Sequence, residues 1–240
     1  MRERLIFKDG PELFRAAAEL FRDAARSSSG PCRVALSGGR TPIGLFSLLS
    51  DPSSGLRESI PWEKIHFFWS DERCVPPDSP ESNYRSALDA LLSRVPVSPD
   101  RIHRVEAELP DPAESARRYE ATVLRELGAR PRFDLIFLGL GPDGHTASLF
   151  PGSPAVREQR RLVVPVAVDQ KTRNRVTFTL PLINAAAKIV CLASGADKAD
   201  AVRRVFEEPP SESVPAGLVR PADGELLWLL DRPAASRLKI

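Results

Sequence analysis

Short apolar runs recur along this chain, each separated from the next by a longer amphipathic segment, and this alternation constrains the fold more than any other feature. CRVALS (32–37), KIHFFWS (64–70), FDLIFLG (133–139), KIVCLAS (188–194) and ELLWLLD (225–231) are apolar on nearly successive residues. Strands of that kind need cover on both faces. Segment 11–26 places Leu13, Phe14, Ala17, Leu20, Phe21 and Ala24 on one face at helical spacing, with Pro11 near its start. Helices are likewise predicted for GLFSLLS (44–50), NYRSALDALLS (83–93), ESARRYEATVLREL (114–127) and KADAVRRVF (198–206), and further strands for RLVVPVAV (161–168) and RVTFTL (175–180). The pattern predicts an α/β fold with a mostly parallel sheet covered by helices.

No repeat or low-complexity tract interrupts the pattern, so 1–240 reads as a single domain, with 95–113 and then 207–224 as its longest connections. Lys and Arg number 34 against 32 Asp and Glu, interspersed and with no basic run longer than a pair. That balance argues against nucleic acid or a membrane as a main partner. The three cysteines are far apart, and Cys32 and Cys191 lie in apolar runs, as free thiols do in a reducing compartment. The opening MRERLIFKDGPEL has no apolar h-region, and no apolar run approaches the roughly 18 residues a membrane span needs. The expectation is a soluble, cytoplasmic protein with no obligate protein partner.

Open parallel sheets bind ligands at the carboxyl ends of their strands. The polar clusters of this chain follow its strands: SGGRTP after CRVAL, SDER after KIHFFW, LGPDGHTAS after FDLIFLG, SGADK after KIVCLA. In the first, Ser37, Gly38, Gly39 and Thr41 run from strand to helix, where glycines let backbone N–H groups approach an anion and the helix start favours negative charge; a tight βα turn would use the same glycines. Lys198 and Arg175 sit where each can add positive charge to that rim. Asp71, Glu72 and Arg73 read either as a surface ion-pair cluster or as charges aimed into a cleft.

His145 is one of three histidines and follows Gly139, Gly141 and Gly144. These glycines bring the backbone close to whatever binds, and an imidazole acts as general base near neutral pH. The other reading is a histidine capping a helix that begins near Thr146. His66 is expected as a packed or edge strand residue and His103 as a surface loop residue. No Cys-x-x-Cys or His-x-x-x-His pair has metal-ligand spacing, and no Gly-x-Ser-x-Gly elbow is present. A site with one base, anion-binding loops and a few charges suits hydrolysis or isomerisation of a small phosphorylated molecule, without metal or cofactor.

LSGGRTP, FFWSDERCVPPDSPESNYRSA, FDLIFLGLGPDGHTASLFPGSP, RVTFTLPLINAAAKIVCLASGADKADAV and ELLWLLD resemble, in order and over nearly the whole chain, the blocks of the 6-phosphogluconolactonase family. The Gly-Gly-x-Thr-Pro and Asp-Gly-His blocks are shared with glucosamine-6-phosphate deaminases. The resemblance implies a three-layer, doubly wound, Rossmann-like fold of the sugar-phosphate isomerase type and cofactor-free hydrolysis of a phosphorylated sugar lactone. It implies His145 as the catalytic histidine, Arg73 as the site arginine, and Gly38, Gly39 and Thr41 as the phosphate loop, completed by Lys198 and by Arg175 rather than Arg173. Ser37, Asp71 and Gly144 are expected to border the substrate. Asp143 either holds the loop or orients the imidazole. Two alternatives remain: a deaminase, expected to carry Asp-Glu-Tyr where this chain has Asp71-Glu72-Arg73, and a sugar-phosphate-sensing domain, in which the histidine would have no catalytic duty.

Overall fold

The structure is a computed structural model that describes residues 2–167 and 174–239. Its strands are β1 (Arg2–Phe7), β2 (Cys32–Leu36), β3 (Ile65–Trp69), β4 (Asp71–Arg73), β5 (Leu135–Gly139), β6 (Val163–Val166), β7 (Arg175–Phe178), β8 (Lys188–Ala193) and β9 (Glu225–Asp231). Its α-helices are α1 (Gly10–Ser27), α2 (Arg40–Ser50), α3 (Asn83–Ala90), α4 (Pro112–Leu127), α5 (Leu180–Asn184), α6 (Ala199–Glu207) and α7 (Arg232–Ala235). The five apolar runs lie side by side, with β1 added at one edge, in a six-stranded sheet of order β1-β9-β8-β5-β2-β3. Every pairing in it is parallel.

Register decides which face each side chain serves. Phe67 lies in a row with Val34 and Leu135, so Phe67 and Phe137 project to the same side. There Phe21 of α1 stacks against both, with ring centroids 6.2 and 6.4 Å away, and α2 packs beside α1. Phe68 shares the opposite side with Ala35, Ile136 and, through Leu138 and Cys191, Trp228. On that side Phe206 of α6 meets Trp228 at 5.5 Å, and Phe68 leads through Phe133 to Phe178 and Tyr119 of α4. Helices therefore cover both faces, making the three layers. Right-handed crossovers require the same arrangement: the chain steps one way from β2 to β3 and the other way from β5 to β8 and β9.

Two strands depart from the sequence reading. β1 was not expected, because RERLIF mixes charge with apolar residues; at the sheet edge Leu5 and Ile6 are partly exposed, so the run never needed to be uniformly apolar. SDER, read as a rim loop, contains β4, which pairs antiparallel with β7 in a second sheet of order β4-β7-β6. Ser70 joins the two sheets: its amide donates to Leu36 O at 2.8 Å, and its carbonyl accepts from the amide of Phe178 at 2.8 Å. No helix begins at Thr146; a tight turn closes there through a bridge between Thr146 and Leu149. Among the described residues no helix is long and apolar enough to cross a membrane.

The long 95–113 connection is stitched to the sheet edge. Ile102 bridges to Phe67, the amide of His103 donates to Phe67 O at 2.8 Å, and His66 Nδ1 lies 3.0 Å from His103 Nε2. Their ring centroids are 5.3 Å apart and the planes 13° from parallel, about the widest separation two imidazoles with that contact can have. The two nitrogens therefore face each other in line, and one proton lies between them. His103 is not a surface loop residue: its ring lies on Phe68, centroids 4.5 Å apart.

Burial pushes both imidazoles below their ordinary value; Arg101 and Arg33 add to this at His66, His66 and Arg125 at His103, while Glu126 and Asp100 oppose it. Folded-state values below the unfolded one mean that the unfolded chain binds more protons. The stability this represents is present above the unfolded value of about 6.5 and is lost as pH falls through the folded values. Melting temperature should accordingly drop between roughly pH 7 and pH 5, and less steeply in a His66→Asn/His103→Asn variant. Equal slopes for the two proteins in thermal unfolding would show that the pair is not the source.

Candidate active site

All six strands of the main sheet end on one rim, and the winding direction reverses between β2 and β5. Loops diverge at such a switch point and leave a crevice. β2 delivers Ser37, Gly38 and Gly39; the Ser37 hydroxyl accepts the amide of Gly139, across the switch point, at 3.3 Å. Gly39 precedes α2, and no side chain among the described residues caps that helix start, so its first N–H groups face the opening. A Cβ on Gly38 would stand 1.8 Å from Asn83 Oδ1, so a glycine is needed for the loop to close against α3.

β4 sorts the charged residues of SDER between its two sides by its pleat. Asp71 and Arg73 point into the crevice, while Glu72 points the other way and is buried under α3. Glu72 Oε1 accepts the amides of Arg73 and Asn83 at 2.7 and 2.8 Å; Oε2 accepts the Ser82 hydroxyl and the Tyr84 amide at 3.0 and 2.8 Å. Burial raises the Glu72 carboxyl against the pull of these donors. Asp71 is held by the Asn83 side-chain amide, which donates to its backbone carbonyl at 2.8 Å, and by the Ser148 hydroxyl, which donates to Oδ2 at 2.7 Å.

β5 delivers the histidine. Asp143 Oδ1 accepts from His145 Nδ1 at 2.6 Å and from the His145 amide at 3.1 Å. Burial works to raise the Asp143 carboxyl, but the hydrogen bonds and the charge of the imidazole hold it below the usual carboxylate value. An ionised carboxylate only accepts, so Nδ1 carries a proton, and in the neutral ring the free lone pair is on Nε2. A Cβ on Gly141 would lie 2.1 Å from Nδ1 and 2.6 Å from Asp143 Oδ1, so only glycine admits this pair. The turn is pinned by the Gly141 amide to His145 O at 2.8 Å and by the Thr146 hydroxyl to Gly139 O at 2.8 Å, with Phe150 against the ring at 4.7 Å.

Of the expected residues, Ser37, Gly38, Gly39, Asp71, Arg73, His145, Arg175 and Lys198 border one cleft of about 250 Å³. Thr41 borders an adjoining pocket of about 350 Å³ that shares Gly38, Gly39 and Lys198 with it. Asp143 stands beside His145 as its hydrogen-bond acceptor. Gly144 faces Val214 instead of the cleft, so its place is in shaping the turn. Arg173 lies outside the described residues. Arg175 is paired across the small sheet with Arg73, and its Nε is buried with no hydrogen-bond partner among the described residues. Burial, then the charge of Arg73, lowers its guanidinium value.

Sequence reasoning missed Asn83 and Ser148, which line the cleft and fix Asp71. Ser148 lay within the noted LGPDGHTAS stretch, whereas nothing in ESNYRSA separates Asn83 from an ordinary helix-start residue. Cys74 is half-buried beside Arg175, and burial pushes its thiol up to about 11, so the thiolate needed of a nucleophile is disfavoured. His66, His103 and Glu126 offer ligand atoms within 4.8 Å of one another, but the two ring nitrogens point at each other, and a cation bound to both would have to break that bond and turn both rings.

The sequence pattern of the family described as glucosamine-6-phosphate isomerases/6-phosphogluconolactonase matches residues 8–228. A 6-phosphogluconolactonase of Synechocystis sp. is 44% identical over 220 residues, 90% of this chain and 88% of that protein. The solved 6-phosphogluconolactonase from Trypanosoma cruzi superposes with a TM-score of 0.87 at 31% identity, covering 100% of this chain and 98% of its own. A monomeric glucosamine-6-phosphate deaminase superposes with a TM-score of 0.85 at 25% identity, covering 98% of this chain and 100% of its own.

The burial of Glu72 under α3 yields a test. In Glu72→Gln an NH₂ group replaces an acceptor oxygen that faces two donors, which should cost about 2–4 kcal/mol. A fall in melting temperature of roughly 5–10 °C is expected; a change within error would mean that the donors find other acceptors.

Proposed function

The chain belongs to the glucosamine-6-phosphate isomerase/6-phosphogluconolactonase family, and we propose that it hydrolyses 6-phospho-D-glucono-1,5-lactone to 6-phospho-D-gluconate. The observation that carries the choice within the family is Arg73. The deaminase and lactonase share the fold, but β4 turns a guanidinium into the cleft at the place where a deaminase is expected to present a tyrosine. A permanent cation facing the same cleft as a base suits a reaction that builds negative charge on a carbonyl oxygen.

In this reading His145 Nε2 takes a proton from water as the water oxygen bonds to C1. The carbonyl electron pair moves onto oxygen, and Arg73 stabilises that oxyanion; Arg175, expected at the phosphate, is the register partner of Arg73 and in this reading adds its charge at the oxyanion. When the pair returns, the bond from C1 to the ring oxygen breaks, and the imidazolium gives its proton to the departing oxygen. The new carboxylic acid then ionises. Asp143 keeps Nδ1 protonated and stabilises the imidazolium, a positioning role supported by the 2.6 Å contact. Asp71, fixed by Asn83 and Ser148, presents an acceptor to a sugar hydroxyl. Ser37 braces the glycine turn, and Gly38, Gly39, Thr41 and Lys198 hold the phosphate. That anchor contributes binding energy away from C1 and sets which carbonyl meets the base.

His145→Ala should lower kcat by about 10²- to 10⁴-fold, the usual contribution of a general base, while 6-phosphogluconate still binds. The measurement is acid release from fresh lactone per folded molecule, corrected for spontaneous hydrolysis, with glucosamine 6-phosphate assayed in parallel. Near-parental turnover in folded His145→Ala would reject the mechanism, and ammonia release from glucosamine 6-phosphate would favour the deaminase.

Lys198→Ala should act mainly on KM, because the phosphate is held equally in ground and transition states. Loss of one charged hydrogen bond corresponds to a rise of roughly ten- to a hundredfold. An unchanged KM, with phosphate inhibition also unchanged, would remove Lys198 from the site.

A further inference from the structure

Lys198 does not face the phosphate pocket alone. Asp197 Oδ2 accepts from Arg40 Nη2 at 3.1 Å and lies in an ion pair with Lys198 Nζ at 3.3 Å, so two cations from different elements converge on one carboxylate oxygen. Arg40 opens α2, and Asp197 lies in the turn that leads into α6. Both border the adjoining pocket together with Thr41, Gly195 and the shared residues Gly38, Gly39 and Lys198. The ion pair thus spans the opening between two helix starts, on the side where the N–H groups of α2 are uncapped.

We propose that Arg40 is a second phosphate-binding cation and that Asp197 is an internal competitor which holds Arg40 and Lys198 until a phosphate dianion displaces it. This rests on the reading of the glycine loop and Lys198 as the phosphate anchor. The chemistry favours the exchange. The Arg40 side chain is 89% exposed and that of Asp197 45%, so their pair is solvated, weak and easily parted. A phosphate dianion offers more charge and more acceptor oxygens than one carboxylate, and a guanidinium matches it with parallel N–H donors. The loop that carries Asp197 does not have to move with the exchange. Asp231 anchors it from the end of β9, accepting from the Ser194 hydroxyl and from the Gly195 amide at 3.0 Å. The competition also favours phosphorylated over neutral lactones: a neutral sugar brings nothing that draws two cations from a carboxylate.

The test measures inhibition of the parent, Arg40→Ala, Asp197→Asn and Lys198→Ala enzymes by inorganic phosphate, alongside lactone KM and melting temperature. Arg40→Ala should weaken phosphate inhibition and raise KM by on the order of three- to tenfold, the effect of one exposed charge-assisted contact. Asp197→Asn should shift phosphate inhibition the opposite way, tightening it by a few-fold, with folding retained. Opposite signs in the two variants support the competitor. If Lys198→Ala releases phosphate while Arg40→Ala and Asp197→Asn match the parent, the anchor stands and Arg40 is a surface residue. If both variants weaken phosphate alike, Asp197 only props the loop and the competitor role is rejected. If phosphate does not inhibit the parent, the anchor reading falls and this inference with it.

Discussion

The pairing of β2 with β5 is the constraint on which the cleft depends. These strands are neighbours in the sheet but not in the chain, and the connections that leave them run to opposite edges. Nothing therefore crosses the rim between them, and the loops after each are free to turn toward one another. The contact from the Gly139 amide to the Ser37 hydroxyl is made at this seam. On one side of it lies the glycine turn before α2; on the other lies the Asp143–His145 pair. His145 and the uncapped start of α2 are thereby held a fixed distance apart by the sheet itself, which is the rigid support that a ligand held at two points needs.

How much of this was legible depended on what each residue answers to. Strands covered on both faces must be apolar throughout, so β2, β3, β5, β8 and β9 were evident from residue type alone. β1 and β4 answer to other demands. β1 has one neighbour and an open edge, and β4 is three residues long and alternates in function, with two polar side chains inward to a cleft and one buried carboxylate outward. Neither meets the rule that identified the rest. The same short strand explains why SDER was ambiguous as a string: its charges do not pair with each other, and only the pleat tells Arg73 from Glu72.

The site was legible where backbone geometry forces a residue type. Gly38 and Gly141 have no room for a Cβ, and the histidine and aspartate follow from the turn they allow. Asn83 and Ser148 were not legible, because they act on Asp71 from elements 12 and 77 residues away. Arg40 was visible in the loop, but its partner Asp197 is 157 residues distant, so the meaning of that charge arises only when the helix starts are brought together.

The cleft's electrostatics run against the stability of the empty protein. Arg73 and Arg175 are register partners, like charges side by side, and the Nε of half-buried Arg175 is buried without a hydrogen-bond partner among the described residues. Cross-strand like charges and a buried unpaired donor each destabilise a fold. Such an arrangement persists where the missing partner is a ligand, and here the same stretch of wall borders the cleft lined by His145, whose Nδ1 is held by Asp143. Elsewhere on the rim the opposite solution is found: Arg40 and Lys198, which would repel, share Asp197. The two halves of the opening differ in kind: in the proposed mechanism Arg73 and Arg175 meet a charge that exists only during reaction, while Arg40 and Lys198, held by Asp197, meet one that arrives already formed. A transition-state oxyanion has to find its donors waiting, because it has no time to recruit them. A phosphate can exchange partners as it binds, and on the proposed mechanism the pairing of charges around each part of the cleft follows that difference.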